Sequence, residues 1–415
     1  MKKNILWNTF GSVFYSLCQW LITVIVYHVA DLNAAGFLSL AMTTSSSFSA
    51  ISLFGMRSYQ VSDVKHDYSQ HEYVGSRILT CIIAFLTCAV ASIWGNDIYQ
   101  ILCIDAFMLI RVAEGMVDVL NGEDQKLNRY DIIGKSYILR GVATVGFFVL
   151  GFKILNNLML TLFVIAVINL GIAFLYDWRK TSSLEVIKPI IYNSKIKTLL
   201  IQCFPIVIFT FLFSLEGLIP KNVLKQLEGT ESLGAYSTIA TPTLVISVLA
   251  NVAFNPFLPM FATVFQNEEY DRFLKLLHKV YIALIGLAVI TTIGAMVLGR
   301  FGLSLLFGKG ILEYYELFMP IVWCTILIAF IFVLSAILIG LRLMKWLLVG
   351  MTIDFIVCIA FVYPIIGKYG QNGASIVQIL VYAIYVIFML VVCEIYVRRT
   401  RKNAKIKKER AIINR

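Results

Sequence analysis

The sequence predicts an all-α polytopic membrane protein, with about twelve transmembrane helices in two six-helix bundles around a central cavity. Three observations predict it. Of 415 residues, 59% are hydrophobic and only 14% charged, where soluble domains carry about a quarter charged residues. A mean hydropathy of +0.83 is spread over runs of about 20 residues, the length that crosses a hydrocarbon core. Lysine and arginine gather in alternate loops.

The apolar runs fall at 5–29, 34–55, 76–95, 98–119, 137–152, 157–176, 199–219, 235–257, 279–299, 317–339, 346–366 and 373–396. The fourth is weakest, because it holds Asp105 and a row of charges. The close pairs 5–29/34–55 and 137–152/157–176 predict tight helical hairpins. The opening MKKNILW mimics a signal peptide, but the apolar run behind it is too long and contains Asn8, Ser12 and Gln19; an uncleaved first span is expected. With the N-terminus placed inside, the inner segments hold 28 of the 35 Lys and Arg residues, the outer loops hold six, and Arg111 stays within the membrane. The positive-inside rule then puts both termini in the cytoplasm. The tail RRTRKNAKIKKER (398–410) should lie on anionic inner-leaflet lipids. No aromatic residue is interleaved there, which argues against nucleic acid as a partner.

The segment 177–198 splits the chain. The expected organisation is an N-terminal bundle (1–180), a cytoplasmic connector (181–198) carrying a short interfacial helix, a C-terminal bundle (199–397) and a basic tail (398–415). The halves echo each other: Gly36, Ser39 and Thr43 match Gly234, Ser237 and Thr241 at a constant offset of 198 residues. Duplicated bundles with a site at their junction are a common transporter plan. Polar residues concentrate in matching spans. The first has Asn8, Ser12, Tyr15 and Gln19. The second has TTSSSFSAIS, and the seventh Gln202, Thr210, Ser214 and Glu216. The eighth has Ser237, Thr238, Thr241, Thr243, Ser247, Asn251 and Asn255. Two readings stand: a hydrated interior, or interhelical hydrogen bonding by small residues.

In RVAEGMVDVL (111–120), Arg111, Glu114 and Asp118 lie within about 60° on one helical face. Isolated charges are costly in lipid, so this face must meet something else. Arg140 sits on the next span at a depth near that of Asp118. The four form either a salt-bridged knot between spans or the wall of a vestibule, where arginine suits a diphosphate. Asn8 and Gln19 join them as candidate cavity residues. Glu216 and Asp354 are candidate ion-coupling carboxylates, with Lys221 as an alternative partner for Glu216. All eight cysteines fall inside spans without CxxC spacing, so neither a metal nor a disulfide is expected. No GxxxxGK[ST], HExxH or GxSxG appears, so no cofactor, ATPase or hydrolase chemistry is expected.

Two loops carry a family resemblance. GMRSYQVSDVKHDYSQHEYVGSR (55–77) and RVAEGMVDVLNGEDQKLNRYDIIGKSYILRG (111–141) resemble those of Wzx-type polysaccharide flippases, within the multidrug/oligosaccharidyl-lipid/polysaccharide exporter superfamily. The residues that carry it are Arg57, Gln60, Ser62 and Asp63, then Glu114, Asp118, Gly122, Gln125, Arg129, Ser136, Arg140 and Gly141. The resemblance implies two six-helix lobes around a cationic cavity, alternating access, and an undecaprenyl-diphosphate-linked oligosaccharide as substrate. It implies a cytoplasmic gate at Arg57, Gln60 and Asp63, with Arg57 and Asp63 paired, and polysaccharide polymerase and glycosyltransferases as partners. The rivals are a multidrug exporter of the same superfamily, a membrane-embedded polymerase or glycosyltransferase, whose sizeable active-site loop is missing, and a major-facilitator carrier, whose basic turn is not matched by GMRSYQVSD.

Overall fold

The computed structural model describes residues 2–63, 67–243, 246, 254, 258–341 and 343–413, and these contain helices and connections with no strand. The helices are α1 (Lys2–Val29), α2 (Leu32–Leu53), α3 (Met56–Ser62), α4 (Gln70–Ser92), α5 (Ile98–Lys126), α6 (Tyr130–Leu155), α7 (Leu158–Ile172) and α8 (Arg179–Ser182). They continue with α9 (Ser194–Ala240), α10 (Leu258–Gln266), α11 (Tyr270–Phe307), α12 (Phe318–Gly340) and α13 (Met344–Ile413). Gly229 (φ 87°, ψ 173°) breaks α9, and Gly370 (φ 55°, ψ −134°) breaks α13. Each break separates two of the expected spans, at a backbone conformation that favours glycine.

Among the described residues eight helical stretches are long and apolar enough to cross a membrane. Counting the two breaks, they account for every expected span except the second, the fourth and the eighth. The second and fourth are helical as α2 and α5 but rich in Ser/Thr and in charge respectively. Most of the eighth span, including Ser247, Asn251 and Asn255, lies outside the described residues. Large apolar side chains stay exposed along α11 at Ile282, Ile285, Val289, Ile293 and Met296. That three-to-four spacing marks one face turned to lipid.

Helix starts follow from capping chemistry. The Asp31 carboxylate accepts from Ala34 N at 2.7 Å, and Asn157 Oδ1 from Leu160 N at 3.1 Å. Capping boxes Ser69/Glu72 and Asp97/Gln100 open α4 and α5, each satisfying backbone donors that a helix leaves free.

The chain divides into two compact units, Met1–Thr238 and Ile239–Arg415. In the first, α1 lies along α6 rather than back along α2; the tight 29–32 turn is present, but the hairpin it predicted opens out. Small residues explain the choice. A Cβ on Gly134 would stand 2.2 Å from Trp7 O, and one on Gly11 would stand 2.4 Å from Gly134 O, so the two main chains touch where glycine faces glycine. The helices α2, α4, α5, α6 and α7 enclose a core of Leu38, Ala41, Ile104, Phe107, Phe148 and Leu162. In the second unit α12 packs along α13, and α13 continues as one helix through the basic tail to Ile413.

Two expectations about connections are corrected. The loop drawn at 120–136 shrinks to a short turn between Lys126 and Tyr130, so its charges ride on helical extensions. The interfacial helix expected in 177–198 is absent: helix persists through a π-turn (Ala173–Trp178) to Ser182, and 183–193 runs as an irregular strap. Pro189 withholds a donor there, Ile190 N bonds His71 O at 3.0 Å, and Gly75 lets the strap's backbone touch α4, a Cβ there standing 1.7 Å from Ile190 O.

Candidate functional site

The charges of α5 resolve into two groups, because Glu114 and Asp118 are a helical turn apart and meet different neighbours. In the first group, Arg111 donates to Glu114 at 2.6 Å and to Ser46 Oγ of α2 at 3.0 Å. Its guanidinium lies 5.2 Å from the Phe107 ring centre, within cation–π range. Tyr15 of α1 donates to the other Glu114 oxygen. Arg140 of α6 stands 3.9 Å from Glu114 and 5.1 Å from the Tyr15 ring centre. Arg140 is fixed from behind: Nε donates to Asn169 Oδ1 of α7 at 3.3 Å, and Asn169 Nδ2 donates to Thr144 Oγ1 at 3.1 Å. Two guanidiniums therefore face the one Glu114 carboxylate. Arg140 is buried, while the Arg111 and Glu114 side chains are 18% exposed, so the cluster reaches an open space at Arg111.

In the second group, Asp118 accepts from Arg77 at 2.8 Å and from Arg57 at 3.3 Å. Arg77 is fully buried and also donates to Ser52 O at 2.6 Å. Arg57 donates to Gln125 at 3.2 Å. Gln60 Nε2 donates to Val119 O at 3.2 Å, and a Cβ on Gly122 would come within 2.1 Å of Gln60 Oε1, so glycine there lets α3 settle on α5. The Arg57–Asp63 pair is corrected: Arg57 turns to α5, while Asp63 organises its own loop. Its carboxylate accepts from Asp67 N at 3.0 Å, Tyr68 N at 3.1 Å and Tyr73 Oη at 3.1 Å. Partial burial pushes the Asp63 carboxyl up, but these donors and Lys126 outweigh it and hold it below the usual carboxylate range.

The structure thus brings together Arg111, Glu114 and Arg140, sends Asp118 to Arg57 and Gln60's neighbourhood, and leaves the other candidates apart. Asn8 is half-buried on α1. The Gln19 amide nitrogen is buried and makes no hydrogen bond among the described residues. Glu216 (α9) is 1% exposed and Asp354 (α13) is fully buried. Lys221 donates to Thr43 at 3.2 Å and Ser39 at 3.5 Å. Tyr15, Asn169, Thr144, Phe107 and Arg77 are site residues that the sequence reading did not place. Only Tyr15 left a signal, its position on the polar stripe of the first span.

The matching segments of the two halves meet within the first unit. A Cβ on Gly36 would stand 2.1 Å from Thr230 O, and one on Gly234 1.9 Å from Leu32 O. Beside them Ser39 Oγ and Ser237 Oγ share a hydrogen bond at 2.5 Å. Ser47 donates to Ser214 O at 3.2 Å. For these residues the interhelical reading holds; Ser46 alone of the stretch reaches the arginine cluster.

No family model matches the chain. It is 27% identical over 388 residues to the capsular polysaccharide biosynthesis protein CapF of Staphylococcus aureus, covering 91% of this chain and 95% of that protein. Among solved structures it is similar to the inward-facing conformation of a multidrug resistance MATE family transporter of the MOP superfamily (TM-score 0.68, 12% identity, 96% of this chain and 99% of that one). It is also similar to the lipid II flippase MurJ in an inward closed conformation (TM-score 0.66, 12% identity, 94% and 87%). A third is the Vibrio cholerae MATE transporter VcmN (TM-score 0.65, 11% identity, 96% of each). The chain is a multi-pass membrane protein with the fold of these MATE transporters and of the flippase MurJ.

Proposed function

We propose that the chain moves undecaprenyl-diphosphate-linked oligosaccharide repeat units across the bacterial cytoplasmic membrane by alternating access, for surface polysaccharide biosynthesis. The observation that carries this reading is the Arg111–Glu114–Arg140 cluster, two guanidiniums on one carboxylate where α5 meets α6. A diphosphate entering beside Arg111 takes the place of Glu114 on a guanidinium already oriented by Ser46 and Phe107. Asn8 and Gln19 offer amides to the sugar, while the lipid tail remains in the bilayer. The 27% identity to a capsular polysaccharide biosynthesis protein supports the substrate class. Arg57, Gln60 and Asp63 belong to a cytoplasmic gate. Glu216 and Asp354, buried carboxylates of the seventh and eleventh spans, are the candidates for coupling to an ion gradient. Two six-helix lobes (1–180 and 199–397) joined by 181–198 would rock about the site. Both termini lie in the cytoplasm, the basic tail rests on anionic lipids, and polymerase and glycosyltransferases are the partners.

The test is a leaflet assay on the full chain in liposomes containing a lipid-linked oligosaccharide, with an ion gradient. Protein-dependent movement between leaflets is expected; its absence with substrate and gradient supplied overturns the reading. The likeness to MATE transporters favours a second reading, an ion-coupled multidrug exporter. Arg111→Ala separates the two: a diphosphate carrier loses transport, whereas an exporter of cationic drugs keeps it.

A further inference from the structure

At the end of the first unit that carries Lys126, Arg129 and Arg179, the chain buries a carboxylate in an unusual place. Asp177 lies in the π-turn Ala173–Trp178 and is 1% exposed. Single π-turns inside helices recur at functional sites, because the extra residue re-aims the side chains around it. The fully buried Ser136 hydroxyl of α6 is the hydrogen-bonding side chain beside Asp177, and neither carboxylate oxygen has a well-aligned partner among the described residues. A second carboxylate faces it from α5: Asp124, 1% exposed, accepts from Thr181 at 3.2 Å through one oxygen and leaves the other buried without a partner.

The charged surroundings are mixed. From α6, Arg140 faces Asp177, and Asp131 lies nearby beside Tyr176. From α5 and the turn after it, Glu123 and Arg129 face Asp124. Glu123 is itself flanked by Lys126 and by Glu185 of the strap. Arg140 already serves Glu114, Tyr15 and Asn169, and Arg129 is held bidentately by Asp131 at 2.9 and 3.1 Å. Two buried carboxylates therefore share cations committed elsewhere. Ionising both would leave like charges facing each other out of water, an arrangement that carboxyl pairs relieve by retaining a proton. Burial pushes the Asp124 carboxyl up to about 7, with Asp177 adding to the rise.

We infer that Asp177 and Asp124 form a proton-binding pair: one proton is taken up on a carboxylate oxygen of Asp177, converting it to the neutral acid, and is released again to the basic end of the unit past Asp124 and Thr181. Ser136 accepts the hydrogen bond of the neutral acid. Because Arg140 faces Asp177 on one side and Glu114 on the other, loss of the proton draws Arg140 toward Asp177 and loosens its hold on Glu114. The site is separate from Glu216 and Asp354.

The test is infrared difference spectroscopy on the full chain reconstituted in lipid, stepped from about pH 5 to about pH 9. A carboxylic-acid carbonyl band that titrates over this range is expected; Asp177→Asn removes its share of the band, and the double variant Asp177→Asn/Asp124→Asn abolishes it. Asp124→Asn removes the repelling neighbour and moves the midpoint down, by about tenfold in proton concentration. Ser136→Ala leaves the band present but shifts its position. Should Asp177→Asn fail to fold, the other two variants read the same band. A wild-type protein with no such band, or one whose band ignores both the Asp124 and the Ser136 changes, overturns the proposal. A band removed by sodium at constant pH also overturns it, since the pair would then be a metal-cation site.

Discussion

Replacing Asp118 by alanine isolates the part of the charged face that holds helices together. Arg77 is fully buried and reaches the carboxylate at 2.8 Å, while Arg57 approaches from a side chain 28% exposed. Removing the carboxylate leaves Arg77 donating to the neutral Ser52 carbonyl and strands its charge in protein. Breaking a buried pair from one side costs about 3–5 kcal/mol. The low end applies, since the Asp118 side chain keeps 19% exposure. A loss of about 3 kcal/mol lowers the folded-to-unfolded ratio about 150-fold. The assay is equilibrium or thermal unfolding of the reconstituted protein, with the double variant Arg77→Met/Asp118→Leu beside it. That pair removes both charges at similar volume and should recover most of the loss, because no buried ion remains uncompensated, while the 28% exposed Arg57 keeps its bond to Gln125. An Asp118→Ala protein within about 0.5 kcal/mol of wild type, or a double variant as unstable as the single, refutes the reasoning.

Gly134→Val pushes a side chain into the α1 main chain, where even a Cβ stands 2.2 Å from Trp7 O; a loss of about 1–3 kcal/mol is expected by thermal unfolding, with α1 the first segment to gain amide exchange. Asp63, held below its ordinary range, contributes stability that is present above the unfolded carboxyl pKa and is lost as pH falls through the lower folded value; Asp63→Asn should flatten the acid limb of the stability–pH curve and leave the neutral region parallel to wild type. Lys225→Met removes donors to Gly95 O, Asn96 and Gln100 at 2.6–2.8 Å, unpinning α9 from the α4–α5 turn; a lowered melting temperature is expected, and an unchanged one would show that those acceptors find other partners.

How much of this was legible depended on the range of the cause. Span positions follow from local apolar runs, and all but the poorly described eighth have their helix. The Arg111–Glu114 pair is an i,i+3 contact, visible from helix periodicity alone. Its other partners were not: Tyr15 and Asn169 reach it from α1 and α7 because Gly11 and Gly134 set the α1–α6 crossing, a distance in sequence that no local pattern spans. Arg77 was read as part of a loop. The Ser69/Glu72 capping box in fact starts α4 early and carries Arg77 into the protein. The strap failed for the opposite reason. Its alternating basic and apolar residues resemble an interfacial helix, yet Pro189 and the contacts at His71 and Gly75 hold 183–193 out of helix.

The 198-residue echo has a physical reason in the contact it makes. Where two helices touch main chain to main chain, neither can carry a Cβ at the crossing, so each must supply glycine. Gly36 and Gly234 do so, each lying against the other's segment at Thr230 and Leu32. Three residues on, the same helical face comes round again, and the contact needs a small side chain that satisfies its own polarity in the gap. Ser39 and Ser237 meet there and satisfy each other. The two segments are therefore each other's environment. A change tolerated on one side alters the space on the other, and matching small residues are what such a crossing demands of the two segments. Thr43 extends the match by one more turn, toward the buried amine of Lys221 that it receives at 3.2 Å.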